Sequence, residues 1–228
     1  MGVIAENVLR VRERMARAAE RAGRDPHGVR LIAVSKRQPV EAMREALAAG
    51  ITDLAENYVQ EAEEKFAALG SITATLHLIG HLQRNKAGKA AALFDVIQTL
   101  DSLELAQALG RRAVGLRKTL DVLIEVNIAR EASKSGTAPE QALELAGAVG
   151  EVAGLRLCGF LGMGALNADL AETRRSFEFL ADLFTRLPTE QRRELSMGMT
   201  GDFETAIEAG STMVRVGTGI FGPRGSAG

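Results

Sequence analysis

The feature that most constrains this chain is a repeated alternation. Eight short apolar or β-branched runs are separated by longer stretches with helical periodicity. The runs are "VRLIAVS" from Val29, "ITDLAEN" from Ile51, "ATLHLIG" from Ala74, "FDVIQTL" from Phe94, "LDVLIEVN" from Leu120, "LRLCGFLGM" from Leu155, "ELSMG" from Glu194 and "MVRVGTG" from Met213. Strands alternating with helices predict a parallel sheet, and eight is the number that closes a (β/α)8, or TIM, barrel. The competing α/β design, an open doubly wound sheet, calls for a glycine-rich turn after its first strand. Here that turn is "SKRQP". With no linker or composition shift in between, residues 1–228 read as a single domain: a helix over 1–23 and a barrel over 29–222.

Helices are expected over Pro39–Ala49, Val59–Leu69, Leu103–Leu116, Pro139–Val149, Leu170–Leu187 and Phe203–Ala209. Pro39 and Pro139 suit first turns, and Asp101-Ser102 and Asp202 are placed to cap exposed amides. Gly50, Gly70, Gly150 and Gly210 stand where helices should end in a left-handed residue. The N-terminal segment carries charges throughout, unlike a signal peptide. It reads as an additional amphipathic helix with Ile4, Val8, Val11, Met15 and Ala18 or Ala19 on one stripe. That helix has two available places, across the lower end of the barrel or in a dimer contact, so a monomer or weak dimer is expected.

Composition narrows the function. The 28 basic and 29 acidic residues leave a formal charge of -1, which provides no general attraction for nucleic acid or acidic membranes. No apolar stretch approaches the about 20 residues needed to span a bilayer. The single cysteine, Cys158, sits in an apolar run and reads as an inert buried thiol in a reducing compartment, so a cytoplasmic protein is expected.

Reactive groups in such barrels gather at the C-terminal strand ends. Lys36 stands there after the first strand, Glu56-Asn57-Tyr58 after the second, His81 after the third, Asn127 after the fifth, Met163-Gly164 after the sixth, Ser196 to Thr200 after the seventh and Gly217-Thr218 after the eighth. Each alone would pass for a solvated loop residue; together they read as a polar pocket. "RVGTG" and "SMGMTGD" offer small residues, hydroxyls and helix-start amides where barrel phosphate sites usually form, after strands seven and eight. Arg215, two residues before Gly217, shares its face one layer deeper. Glu125 shares a face with Asn127 inside "VLIEVN", and a lone buried carboxylate is costly. A partner is therefore expected in Arg30, Arg156 or Arg215. His77 and His81 have the i, i+4 spacing of helical metal ligands, but on a strand that spacing is about 13 Å, too far for one ion. The basic "QRNKAGK" reads as a solvated helix face.

The motifs "AVSKRQP", "AENYVQE", "HLIGHLQRNK", "EVNIAREASKSG", "LSMGMTGD" and "GSTMVRVGTGIFG", taken in this order, resemble the pyridoxal phosphate (PLP) homeostasis proteins, relatives of the alanine racemase N-terminal barrel. The likeness spans nearly the whole chain. It departs at Ala55, where the family often has glycine, and at Thr200, where serine is usual. The resemblance implies a PLP fold type III barrel that binds the cofactor pyridoxal 5'-phosphate, with Lys36 forming the Schiff base. It further implies that Asn57 lines the pocket, that Ser196, Gly217 and Thr218 hold the phosphate, and that Arg215 approaches the pyridine nitrogen.

A guanidinium has only donors, so Arg215 at that position disfavours a protonated ring and weakens the cofactor as an electron sink. Racemisation needs a second acid/base group opposite the lysine, and the only tyrosine, Tyr58, reads as a packing residue at a helix start. The expected role is therefore PLP binding and delivery to PLP-dependent acceptor enzymes without robust catalysis, with Lys134 available to assist exchange. PLP-dependent racemisation of an amino acid and a barrel aldolase acting through Lys36 are the competing activities.

Overall fold

Each of the eight runs contains a strand: β1 Arg30–Val34, β2 Asp53–Glu56, β3 Thr75–Leu78, β4 Val96–Leu100, β5 Leu120–Val126, β6 Leu155–Gly162, β7 Glu194–Ser196 and β8 Met213–Val216. In the computed structural model, which describes residues 2–131, 135–165 and 168–223, they pair in parallel in chain order. β8 returns to β1 with Arg30 opposite Met213 and Ala33 opposite Val216, closing the barrel. Strands buried on both faces need no polar alternation, which explains why β2, β4 and β8 are buried at every position.

Nine α-helices are present among the described residues: α1 Val3–Arg21, α2 Val40–Ala48, α3 Val59–Leu69, α4 Ala87–Leu93, α5 Leu103–Gly115, α6 Ala142–Gly150, α7 Leu170–Thr185, α8 Phe203–Glu208 and α9 Thr218–Phe221. The short α4 and α9 are additions to the helices expected from periodicity, each too brief to show a repeating stripe. Pro39 takes the N-cap of α2, and Pro139 opens a short 3-10 turn before α6. Ser102 and Asp202 occupy N-cap positions, yet neither side chain caps. Ser102 donates to Asp101 (3.0 Å) and Asp202 accepts from the Met199 amide (2.6 Å). Asp169 does cap, accepting from the Glu172 amide at 2.7 Å. Gly50, Gly70 and Gly210 are left-handed as expected. Gly150 instead ends α6 in helical register, and the left-handed turn falls at Gly154.

α1 settles in the outer ring, packed against α8, α9 and α2 rather than across the lower end. The helix after β8 is only four residues long, so the β8–β1 seam needs another cover. The buried stripe Val8, Val11, Met15, Ala18 and Ala19 supplies it. Polar ties fix the docking: the Asn7 amide donates to the Ile220 carbonyl (2.7 Å) and Arg14 pairs with Glu204 (2.8 Å).

The main apolar core lies between strands and helices. Inside the ring are two smaller clusters, Ile32, Val34, Ala55 and Met213, and Val96, Leu123, Cys158 and Leu161. The remaining buried positions of the strands include Asp53, His77, Gln98, Glu125, Ser196 and Arg215, all under 5% exposed. The Cys158 thiol is pushed up to about 11 by burial, with Asp121 adding to the effect, so it stays protonated and unreactive at neutral pH.

β6 is irregular beside Cys158, where the β5–β6 register slips between Val122 and Leu123. Gly159 there has φ +146°, and a Cβ would sit 2.0 Å from the Glu194 carbonyl oxygen. Gly159→Ala is expected to cost about 3 kcal/mol or more, through backbone strain and a clash that only strand displacement relieves. Urea unfolding checks this as a lowered midpoint with an unchanged slope.

Candidate cofactor site

β1 ends at Val34, and residues 35–38 make a tight turn closed by the Gln38 amide on the Ser35 carbonyl (2.9 Å). Arg37 is left-handed at φ +60°, a conformation that is strained for arginine and that the surroundings must hold. Its amide donates to the Glu61 carboxylate of α3. Behind the turn, Lys65 of α3 donates to the Ser35 carbonyl (2.7 Å) and pairs with Glu56 (3.0 Å) and Glu61 (2.6 Å). The Ser35 hydroxyl donates to Glu56 at 2.8 Å. Burial pushes the Glu56 carboxyl up, and Ser35 and Lys65 pull it partly back. This buried clamp aims the segment that carries Lys36. Lys65 escapes a sequence reading because on a charged helix it resembles any solvated lysine.

The turn opens onto a cavity of about 270 Å³ at the C-terminal mouth of the barrel. Lys36, Asn57, Arg215, Gly217 and Thr218 lie on its wall, with Val34, Ile79, Leu161 and Met163 as apolar neighbours. Thr200 and Gly201 complete the side formed by the β7 loop. The Thr200 hydroxyl accepts from the Gly219 amide (3.3 Å), tying that loop to the start of α9. Gly198 in the same loop has φ +89°, and a Cβ there would lie 2.8 Å from the Phe203 Cα, so only glycine lets the loop fold onto α8. Thr200 stands in the sequence only as one hydroxyl of a loop suited to an anion, and the fold puts it on the wall. Its signal was the hydroxyl in "SMGMTGD".

Of the six candidate residues, the structure brings five onto this wall and leaves Ser196 below it. Ser196 is fully buried; its hydroxyl donates to Gln98 (2.7 Å) and accepts from Arg215 (2.6 Å). Both bonds point into the barrel, away from the loops suited to an anion. Arg215 also donates to the Gly162 carbonyl (3.2 Å). Burial lowers its pKa to about 10, opposed by the charges of Asp202 and Glu125, so it remains a cation at neutral pH. The Asn57 side-chain oxygen is buried without a hydrogen-bond partner among the described residues, leaving an acceptor available beside the cavity.

Glu125 faces inward, 3% exposed, but no arginine among the described residues pairs with it directly. Arg30 instead bonds Glu194 (2.8 Å), with Asp53 at 3.6 Å, and Arg156 holds Asp121 through two bonds of 2.7 Å. Arg215 acts on Glu125 only through its field. Burial first, and the charge of Asp101 second, raise the Glu125 carboxyl from its ordinary 4.5 to about 7. His77 is enclosed in the barrel, while His81 is exposed on the rim, 3.7 Å from Asp101. Tyr58 is 52% exposed rather than packed, because as the N-cap of α3 it projects past the helix start; it lines a neighbouring groove with His81 and Lys86. Lys86 and Lys89 sit at the solvated surface, bonded to Gln60 and Glu63. Lys134 lies outside the described residues.

Lys65→Ala leaves Glu56 as an uncompensated buried charge and is expected to cost about 3–5 kcal/mol, read by thermal or denaturant unfolding. The raised Glu125 pKa stabilises the fold fully below the ordinary carboxylate range, and this contribution is lost as pH rises through 7. Between pH 4 and 8 the protein should therefore lose up to about 3 kcal/mol relative to a Glu125→Gln variant, measured as the pH dependence of the difference in unfolding free energy.

Comparison with known proteins gives the chain its relatives. Residues 7–225 match the family described as alanine racemase, N-terminal domain. A pyridoxal phosphate homeostasis protein from Pseudomonas aeruginosa is 43% identical over 228 residues, covering 98% of this chain and 97% of the relative. One from Escherichia coli is also 43% identical, with 98% of each chain covered. Among solved structures, PipY from Synechococcus elongatus with PLP bound aligns with a TM-score of 0.80 at 36% identity, over 96% of this chain and all of that one. An alanine racemase from Clostridium difficile, at 16% identity and a TM-score of 0.72, shares the fold and is covered over 58% of its length. This chain belongs to the pyridoxal phosphate homeostasis protein family.

Proposed function

We propose that the chain binds pyridoxal 5'-phosphate at the barrel mouth and serves its storage and delivery inside the cell, without robust catalysis of its own. The observation that carries this is the meeting of a primary amine, a buried guanidinium and two hydroxyl-bearing loops around one small cavity. Relatives named for PLP homeostasis and the PLP-bound PipY support the choice of ligand. The residues fit it: the volume suits one substituted ring, the apolar side chains give the ring faces a dry contact, and the donors suit an anion. When bound, PLP supplies an aldehyde that condenses reversibly with amines.

In this arrangement Lys36 would hold the aldehyde, and its fixed turn keeps the residue on the cavity wall. Thr200, Gly217 and Thr218, on the cavity wall in the β7 and β8 loops, would hold the phosphate. Ser196 acts one step removed, by engaging Arg215. Asn57 would supply an acceptor at the rim, and Arg215 would meet the ring nitrogen with donors only.

Robust racemisation is disfavoured on two counts. A donor-only group at the ring nitrogen does not stabilise a carbanion, and the lone tyrosine lines a neighbouring groove rather than the wall that carries Lys36. Among the described residues no helix is long and apolar enough to cross a membrane. We take PLP-dependent enzymes of the cytoplasm as the acceptors, with residues 1–228 acting as one unit.

The purified chain saturated with PLP should show a visible absorption band that borohydride bleaches, with the reduced adduct mapping to the peptide containing Lys36. Lys36→Ala should abolish the band while leaving the fold intact by circular dichroism. Rapid loss of optical rotation in L-amino acids would instead favour the racemase activity.

A further inference from the structure

We propose that His77 and Gln98 are positioning residues for Arg215, because one hydrogen-bonded chain running from Asp53 through His77, Gln98 and Ser196 sets where that guanidinium points. This rests on the reading that Arg215 faces the bound cofactor. The links are Asp53 to His77 Nε2 (2.9 Å), His77 Nδ1 to Gln98 Nε2 (2.9 Å), Gln98 Oε1 to Ser196 Oγ (2.7 Å) and Ser196 Oγ to Arg215 Nη1 (2.6 Å). All five residues are under 5% exposed, so water cannot substitute for a missing partner. β4 and β7 are not neighbours in the ring, so the Gln98–Ser196 bond crosses the barrel interior. Gln98 also donates to the Met213 sulfur on β8 (3.3 Å).

The chain has one consistent direction. Arginine only donates, so the Ser196 oxygen accepts and its proton goes to the Gln98 carbonyl oxygen. That orients the Gln98 amide with its NH2 toward His77, so Nδ1 must be bare and Nε2 must carry the proton given to Asp53. Flipping the amide would leave the Ser196 proton without its acceptor and demand a second proton on His77. The far end is anchored at Asp53, which accepts from the Thr52 hydroxyl (2.7 Å) and faces Arg30 (3.6 Å). His77 is therefore a neutral imidazole with its proton on Nε2. Its work is to keep Gln98, and through it Ser196 and Arg215, in a single orientation.

Nitrogen-15 NMR of imidazole-labelled, cofactor-free protein tests the direction: a bare Nδ1 and a protonated Nε2 on His77 at neutral pH are expected. An Nδ1–H tautomer or an imidazolium would overturn the proposal. PLP titrations of the wild type, Gln98→Met, Ser196→Ala and the double variant test the positioning. Each single change should weaken binding about tenfold and shift the pH at which the visible band titrates, while the double variant loses little more than either single. Singles with wild-type affinity and spectrum, or losses that simply multiply, would refute it. Should Gln98→Met not fold, Gln98→Glu replaces it. In its carboxylate form that variant keeps the acceptor for Ser196 but has no proton to give Nδ1, so a His77 tautomer unchanged from wild type at a pH where the introduced carboxyl is ionised would count against the proposal. A wild-type chain that fails to take up PLP would defeat the proposed function instead, leaving the NMR result to stand alone.

Discussion

A guanidinium cannot shed its charge, and Arg215 is held almost without water inside a closed ring of strands. Most of the barrel's interior polarity can be understood from that requirement. Its donors need acceptors, met by Ser196 and the Gly162 carbonyl; its charge lies in the field of Asp202 first and Glu125 second. Each of those partners has needs of its own, which is how the polar chain comes to cross the ring as far as Asp53. Buried networks of this kind are costly when half satisfied and rigid when complete. The same rigidity suits a site that must present one cation to a ligand in one direction.

Around that interior the chain separates stability from function. Most apolar burial lies outside the ring, between strands and helices, where α1 compensates for the short helix after β8. The mouth can then be built of turns and small residues without sacrificing the core. Even there Lys36 is not on a loose loop. A left-handed arginine beside Lys36, a carboxylate on its amide and the buried Lys65–Glu56 pair fix the turn from behind.

Holding a reactive aldehyde and catalysing carbanion chemistry make different demands. The first needs an accessible amine, an anion cradle and shelter. The second also needs an acid or base on each face of the substrate, and is helped by a partner that keeps the ring nitrogen protonated. On the proposed reading the cavity meets the first set, and its donor-only arginine works against the second.

Much of the architecture is legible in the residues, because the period of apolar runs is a local property: eight runs between helical stretches leave one simple closed arrangement. That Lys36, Asn57, Gly217 and Thr218 reach one cavity wall was legible as well, since each follows a strand closely, with Arg215 one residue before the end of its own, and parallel strands must deliver their C-terminal ends to one rim. Ser196 was legible as a strand-end hydroxyl, but position along a strand does not reveal which partner that hydroxyl will find. Glu125 is similar: its inward face followed from period two, but every arginine near enough was already committed elsewhere. Lys65, Gln98 and His77 carry no local signal, because their roles depend on residues brought near only when the ring closes. The sequence by itself determined the strands, their order and the rim on which the polar groups gather. The tertiary structure decided which groups touch, since hydrogen bonds across a barrel join strands that no short-range pattern relates.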